Sequence, residues 1–366
     1  MATRPSLFIF TGGDHLTGAL IAACNEACLL EPEIAVTIIL SHRSKLTSKQ
    51  LPGTPTIQHL PLAQIDRKLI GFLLYPAALI RSAWALRQAL RKGNCARLQV
   101  NDFHFAEGAI ARLFGYRGRI ATWIRIDPQR YGLVGRAWLT LARWTSNEIV
   151  AVSRHIQDRL PADFPSSLIY DPAPAIAALA PVKGQRLLFI GNYIEGKGQD
   201  AAILAFHRIA RRFPSAELVF HGSEMGLSKN RDYRARLTAM AAVGDGRDRI
   251  HLLDFVEEPG IAYRLAFAAL NFSLSESFSF TCLEASAHGL PVIATRCGGP
   301  EEIVEQAVTG FLVRVNDVDA MAFSMSTLLD DPDRAAEMGA AGRRLVTKRF
   351  ATDRFRHQVT QLFELN

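Results

Sequence analysis

The residues best suited to chemistry lie in four polar turns, each following an apolar run. One holds Glu276, in Ser275-Glu276-Ser277-Phe278-Ser279. Glu284 follows eight residues later, in a run of helix formers over 280–288 that Gly289 would stop. The apolar stretch 270–274 reads as a buried parallel strand, and 291–295 as the next one. This order, strand, polar loop, helix, strand, puts Glu276 at the carboxyl end of a strand, where open α/β sheets bind ligands. Backbone amides at the helix start, among Phe278, Ser279, Phe280 and Thr281, favour a phosphate. Glu284 falls about one and a half turns into the helix. Its neighbours Cys282, Leu283, Ala285 and Ala287 are apolar or small, so an ionised carboxylate there needs a partner.

The other three turns repeat the arrangement. Strand 186–190 leads into Gly191-Asn192-Tyr193-Ile194-Glu195-Gly196-Lys197-Gly198 and a helix to 213. Strand 6–11 leads into Gly12-Gly13-Asp14 and a helix over 16–30. That glycine pair lacks the GxGxxG spacing, so a nicotinamide dehydrogenase is poorly supported. Strand 97–100 leads into Asn101-Asp102-Phe103-His104. His104 suits a hydrogen bond to a ligand hydroxyl or a proton shuttle, or is simply a residue at a helix start.

The segment Ser275 to Glu284-Ala285, then Gly289-Leu-Pro-Val-Ile-Ala-Thr and Cys297-Gly-Gly-Pro-Glu-Glu302, resembles the signature of the family-4 retaining glycosyltransferases. The resemblance implies an α/β chain of GT-B fold, with two Rossmann-like doubly wound domains facing each other across a cleft. It implies an N-terminal acceptor-binding domain over 1–170, a Pro/Ala-rich linker over 171–185 and a nucleotide-sugar domain over 186–350. A C-terminal helix over 351–366 would cross back to the first domain. Lys197 matches the family's lysine and would hold the donor diphosphate with the backbone amides of Phe278, Ser279, Phe280 and Thr281 and the Gly12-Gly13 turn. Asn192 stands where the family has an arginine. Glu276 would bind hydroxyls of the donor sugar and Glu284 the ribose. His221 and Val256 end the strands that lie near the nucleobase in the family. Asp102 and His104 survive from a His-rich pattern in which Gln99 and Asn101 replace two histidines. At Arg125 the family often has histidine; arginine suits an anionic acceptor or a surface salt bridge.

The function implied is transfer from a UDP- or GDP-sugar to a glycan or lipid-linked acceptor, in cell-surface polysaccharide or glycolipid assembly. No cofactor and no metal are expected, because no Asp-x-Asp falls in a strand-end loop and Asp331-Pro332-Asp333 reads as a helix cap. A degenerate protein that binds nucleotide sugar without turnover is the alternative, favoured by Asn192 and Asn101. A nucleotide-sugar epimerase would share the fold but not the Glu276/Glu284 unit.

Bulk properties bound these readings. The 366 residues suit two domains. No run of eighteen uncharged apolar residues occurs, and the N-terminus does not read as a secretory signal. Five cysteines without CxxC or metal spacing suit a reducing cytoplasm. Charge is uneven. Residues 1–180 hold 20 Lys/Arg against 12 Asp/Glu, whereas 181–366 hold 22 against 23. A basic first half points to an anionic partner. No aromatic–basic interleaving supports nucleic acid. The stretch 67–92, read as one or two helices broken near Pro76, combines apolar clusters with Arg81, Arg87, Arg91 and Lys92. It suits either an anionic membrane surface or ordinary packing on the sheet. A cytoplasmic protein, peripheral on the inner face of the membrane, is therefore expected.

Overall fold

The computed structural model describes residues 4–12, 16–31, 33–63, 69–176, 184–256 and 258–364, without the side chains of 69–74. The chain divides into two compact units, residues 1–171 with 353–366, and residues 172–352.

The first unit alternates strands and helices: β1 (Ser6–Phe10), α1 (Gly18–Leu30), β2 (Ala35–Ser41), β3 (Thr56–Leu60), α2 (Leu69–Lys92), β4 (Arg97–Val100), α3 (Glu107–Leu113), β5 (Arg119–Ile124), α4 (Gly132–Thr145), β6 (Glu148–Ala151), α5 (Arg154–Gln157) and β7 (Ser167–Leu168). Among the described residues the strands form one parallel sheet in the order β3-β2-β1-β4-β5-β6-β7. Parallel neighbours need crossovers, and these are right-handed. The connection β1-α1-β2 runs one way along the sheet and β4-α3-β5-α4-β6 the other. Hence α1 covers one face, and α2, α3 and α4 pack in series on the opposite face. Phe8, Phe10, Leu86, Leu90, Leu98, Ala111 and Ile120 fill the layer beneath α2 and α3.

The second unit repeats the plan with β8 (Arg186–Ile190), α6 (Gln199–Ile209), β9 (Glu217–His221), α7 (Ser228–Ala241), β10 (Ile250–Leu253), α8 (Pro259–Arg264), β11 (Ala268–Asn271), α9 (Phe280–Ala287), β12 (Val292–Thr295), β13 (Gly310–Val313), α10 (Val318–Asp330) and α11 (Pro332–Arg349). Its parallel order is β10-β9-β8-β11-β12-β13. Phe189, Phe206, Phe220 and Phe272 centre its core. The last helix, α12 (Thr352–Leu362), contributes to the first unit. Arg97 Nε donates to Phe363 O (2.7 Å), Arg119 Nε donates to Leu362 O (2.5 Å), and Phe363 stacks on Trp123.

Several expected boundaries move. Pro76 lies inside a continuous α2 on its exposed side, so the lost backbone bond falls where water can replace it. The apolar cluster 69–74 lies among side chains outside the described set. The strand expected over 270–274 is β11, which ends at Asn271. The apolar run 120–126 reads as a strand holding Arg125, but β5 ends at Ile124 and Arg125 lies beyond it. The segment 56–60, turn-flanked and short, is a strand because it pairs with β2 from Thr37–Thr56 to Ser41–Leu60. Asp331 caps α11 by accepting from Arg334 N, as its position implied.

Candidate active site

Both sheets reverse strand order once, between β1 and β4 in the first unit and between β8 and β11 in the second. Ligands bind at the carboxyl ends beside such reversals. In the second unit the loops that meet there carry Lys197, after β8, and Glu276, after β11.

The chain fixes these two loops against each other. Gly198 adopts a φ of 85°, and a Cβ there would lie 2.1 Å from Phe272 O, so only glycine lets the lysine turn sit on the end of β11. Leu274 N donates to Gly196 O at 2.9 Å. Asn271 braces the second loop from below. Its Nδ2 donates to Ser279 Oγ (3.0 Å) and Thr281 Oγ1 (2.9 Å), and its Oδ1 accepts from Ser273 N. Glu276 is held through its backbone, with its N–H donating to Cys297 O and its carbonyl accepting from Gly299 N.

Lys197 Nζ then donates to Glu276 Oε1 at 2.8 Å, and buried Ser273 Oγ donates to the same oxygen at 2.7 Å. Beside them α9 begins. Ser279 caps it by accepting from Cys282 N, and the other first-turn amides have no acceptor within the helix. Phe278 is buried against Phe280 and Phe350. A cation, a carboxylate and a helix start thus share one strand edge, which suits a phosphate next to a polyhydroxyl group.

Glu284 is the fifth residue of α9. The partner its surroundings demand is not a cation: Tyr263 Oη donates to Glu284 Oε2 at 3.1 Å. Loss of surrounding water pushes the Glu284 carboxyl up to about 7, against the hydrogen bond from Tyr263. Buried Tyr263 is itself stacked on His288 at 4.7 Å. The side chain of Asn192, in the position of the family's arginine, accepts from Ser223 N (3.2 Å) and so ties the β8 and β9 loops. Half-buried His221 meets Asp254 O through Nδ1 at 3.2 Å, and half-buried Val256 follows β10.

In the first unit the reversal is lined by Gly12 and by the turn after β4. Gly12 has a φ of 63°, and a Cβ would lie 2.3 Å from Phe105 Cε1. Gly13 lies outside the described residues. Asp102 is buried. Its Oδ1 accepts from Phe103 N and Arg125 N, while its Oδ2 has no partner. Burial lifts its carboxyl to about 7. His104 Nδ1 is 3.7 Å from Asp102 Oδ2, too far for a hydrogen bond. The ring lies against Phe105 at 4.1 Å, and burial lowers it to about 4, so at neutral pH it is an uncharged imidazole.

Arg125 corrects the surface expectation. It is buried and forks onto Asp171, with Nη1 to Oδ2 at 2.7 Å and Nη2 to Oδ1 at 3.2 Å, while Nε donates to Asn101 Oδ1 at 2.8 Å. Gln99 Nε2 donates to buried Glu26 Oε2 at 2.7 Å. Gln99 and Asn101, in the positions of the family's histidines, therefore serve an internal polar network. Sequence reasoning also missed Ser273, Asn271 and Tyr263. Ser273 and Asn271 stand in the stretch 270–274, read as a buried strand, and Tyr263 is signalled by nothing near Glu284 in the sequence. Among the described residues no group of three or more His, Cys, Asp or Glu could hold a metal ion, and no helix is long and apolar enough to cross a membrane.

Residues 177–345 match the family model described as glycosyl transferases group 1. The chain is 30% identical over 291 residues to a GDP-mannose-dependent alpha-(1-6)-phosphatidylinositol monomannoside mannosyltransferase of Mycobacterium tuberculosis, covering 70% of this chain and 74% of that protein. Its fold matches Alr3699/HepE of Anabaena, solved in complex with UDP-glucose, with a TM-score of 0.81 at 17% identity over 98% of this chain and 99% of that one. Sucrose-phosphate synthase of Thermosynechococcus elongatus matches with a TM-score of 0.80 at 18% identity, covering 99% and 98%.

Proposed function

Because this chain belongs to the group 1 glycosyl transferases, the family-4 glycosyltransferases of GT-B fold, it is a glycosyltransferase, and we propose that it works with retention of configuration and without a metal. The donor is a GDP- or UDP-sugar, and the acceptor is a lipid-linked or glycan hydroxyl. GDP-mannose is the first donor to test, because the mycobacterial relatives act with it; their phosphatidylinositol mannoside acceptors motivate the lipid-linked class.

The observation that carries the reading is the 2.8 Å contact of Lys197 with Glu276 beside the start of α9. Without donor, the two charges neutralise one another. When the donor enters, Lys197 and the amides of Phe280 and Thr281 take the diphosphate, and Glu276 takes hydroxyls of the sugar. Glu284, held by Tyr263, takes the ribose hydroxyls, and His221 and Val256 lie toward the base. Asn192 contributes a neutral hydrogen bond in place of the family's second cation. In the first unit, taken by itself, Gly12 and Gly13 meet a phosphate, and Asp102 and His104 meet an acceptor hydroxyl.

In the reaction the acceptor oxygen bonds to the anomeric carbon as the bond from that carbon to the diphosphate oxygen breaks. The acceptor proton passes to the departing diphosphate, on the same face of the sugar, so the protein need not supply a base. Glu276 and Glu284 share one loop-helix unit and do not flank a sugar as paired glycosidase carboxylates do.

The protein works at an anionic membrane surface on the cytoplasmic side, a reading supported by the basic first half. The test is transfer of labelled mannose or glucose from GDP-mannose or UDP-glucose into lipid extracts, with the anomeric centre of the product read by NMR. Retained configuration and full activity in EDTA are expected. An inverted product, or activity lost to EDTA and restored by a divalent ion, would reject the mechanism. Lack of transfer from every GDP- and UDP-sugar would reject the donor class.

A further inference from the structure

The helical layer α2–α3–α4 presents an outward face with no ordinary explanation. Right-handed crossovers put these three helices side by side on one face of the first sheet, and α3 contacts both neighbours. Arg112 fastens the layer at one end: its Nε donates to Thr145 O at 3.0 Å, joining α3 to the end of α4. Arg87 Nη2 reaches Gly115 O at 3.5 Å, joining α2 to the turn after α3.

Large apolar side chains leave this layer into solvent from each helix. Trp84 of α2 is 57% exposed, Leu113 of α3 71%, and Leu133 and Trp144 of α4 80% and 81%. On α4 the buried positions Gly135, Leu139, Ala142 and Thr145 define the inner stripe. Leu133, Ala137 and Trp144 then fall together on the outer one, flanked by Arg136 and Arg143.

The charge of this face has one sign. Neither α2 nor α4 contains an acidic residue. The single carboxylate of α3, Glu107, is buried and accepts from Ser82 Oγ at 3.0 Å. Arg81, Arg91, Lys92, Arg117 and Arg136 are exposed and meet no carboxylate among the described residues. Arg143 lies 3.8 Å from Asp163, a surface carboxylate outside the layer. An ordinary outer helix turns charged residues of both signs to water; this layer turns out tryptophan, leucine and cations.

We propose that the outward face of α2, α3 and α4 docks on an anionic lipid bilayer. Tryptophan suits the boundary between headgroups and acyl chains, leucine gains by entering it, and the cations meet lipid phosphates. The inference gives a surface to the membrane part of the proposed function and rests on it for its biological sense. The assay reads no sugar transfer, so either can fail alone.

The full chain is sedimented with vesicles of phosphatidylcholine, or of phosphatidylcholine mixed with phosphatidylglycerol. It is expected to sediment only with the anionic vesicles and to be released as salt shortens the Debye length from about 10 Å at 0.1 M to about 3 Å at 1 M. The double variant Trp144→Glu/Leu133→Glu is expected to lower the bound fraction more than about tenfold. Arg136→Glu/Arg143→Glu is expected to act in the same direction. Arg231→Glu on α7, a change of charge equal to that of Trp144→Glu/Leu133→Glu but placed elsewhere, should leave binding unaltered. All these positions are exposed, and an unchanged melting temperature confirms folding. Equal sedimentation with neutral vesicles overturns the proposal, as does wild-type binding by both double variants. If the variants instead convert a dimer to a monomer in analytical ultracentrifugation and leave vesicle binding intact, the face joins two copies of the chain and the proposal is wrong.

Discussion

Replacing Ser273 by alanine tests how the site holds its carboxylate. Ser273 is buried, and its hydroxyl lies 2.7 Å from Glu276 Oε1, the oxygen that Lys197 also contacts at 2.8 Å. A hydrogen bond to a charged group contributes about 1.5–3 kcal/mol, and cutting back the hydroxyl leaves only a void the size of one oxygen. In the free protein Lys197 still fixes Glu276, so the melting temperature should fall little. The cost appears when the donor diphosphate draws Lys197 away and Ser273 is left to orient Glu276 toward the sugar. If most of the bond is lost at that stage, kcat/KM falls by about 10- to 100-fold. Ser273→Thr keeps the hydroxyl and should recover part of the loss. The assay is steady-state transfer over a range of donor concentrations, with thermal melting of each variant alongside. A kcat/KM for Ser273→Ala within about twofold of the parent, at unchanged stability, would refute the assignment of Glu276 to the sugar. A large drop in melting temperature together with activity would show a fold role only.

Lys197→Ala should lower kcat by about two to three orders of magnitude, with partial recovery in Lys197→Arg, measured by single-turnover transfer. Tyr263→Phe removes the donor to Glu284 and should raise the donor KM more than it lowers kcat; an unchanged KM would count against ribose binding by Glu284. Asp171→Ala leaves the Arg125 guanidinium buried without its partner and should destabilise by about 3–5 kcal/mol in denaturant melts; a loss under about 1 kcal/mol would mean water reaches the pair. Glu107 carries a pH prediction. Burial raises its carboxyl from 4.5 to about 7, so between those values the folded protein keeps a proton that the unfolded chain has released, and stability falls as pH rises through that window. Glu107→Gln should therefore stabilise by up to about 3 kcal/mol at pH 8 and change little at pH 4, and an equal gain at both would exclude the titration.

The sequence by itself determined the alternation of strands and helices, the ends of β4 and β8, and the polar loops after β1, β4, β8 and β11. These follow from local causes: a short apolar run makes a strand, a glycine or cap residue ends an element, and a parallel sheet sends each loop to its carboxyl edge. The places of Glu276 and Lys197 in strand-end loops and of Glu284 on a helix were legible for the same reason, whereas the roles expected of them came from the family resemblance. Tertiary structure decided what each of them touches. Lys197 and Glu276 lie 79 residues apart and meet because β8 and β11 are neighbours where the strand order reverses. Tyr263 reaches Glu284 from α8, and Arg125 is buried against Asp171, 46 residues away, rather than exposed. Spacing along a chain records which residues share an element. It carries no signal for which strands become neighbours, and these contacts exist only once the sheet has formed.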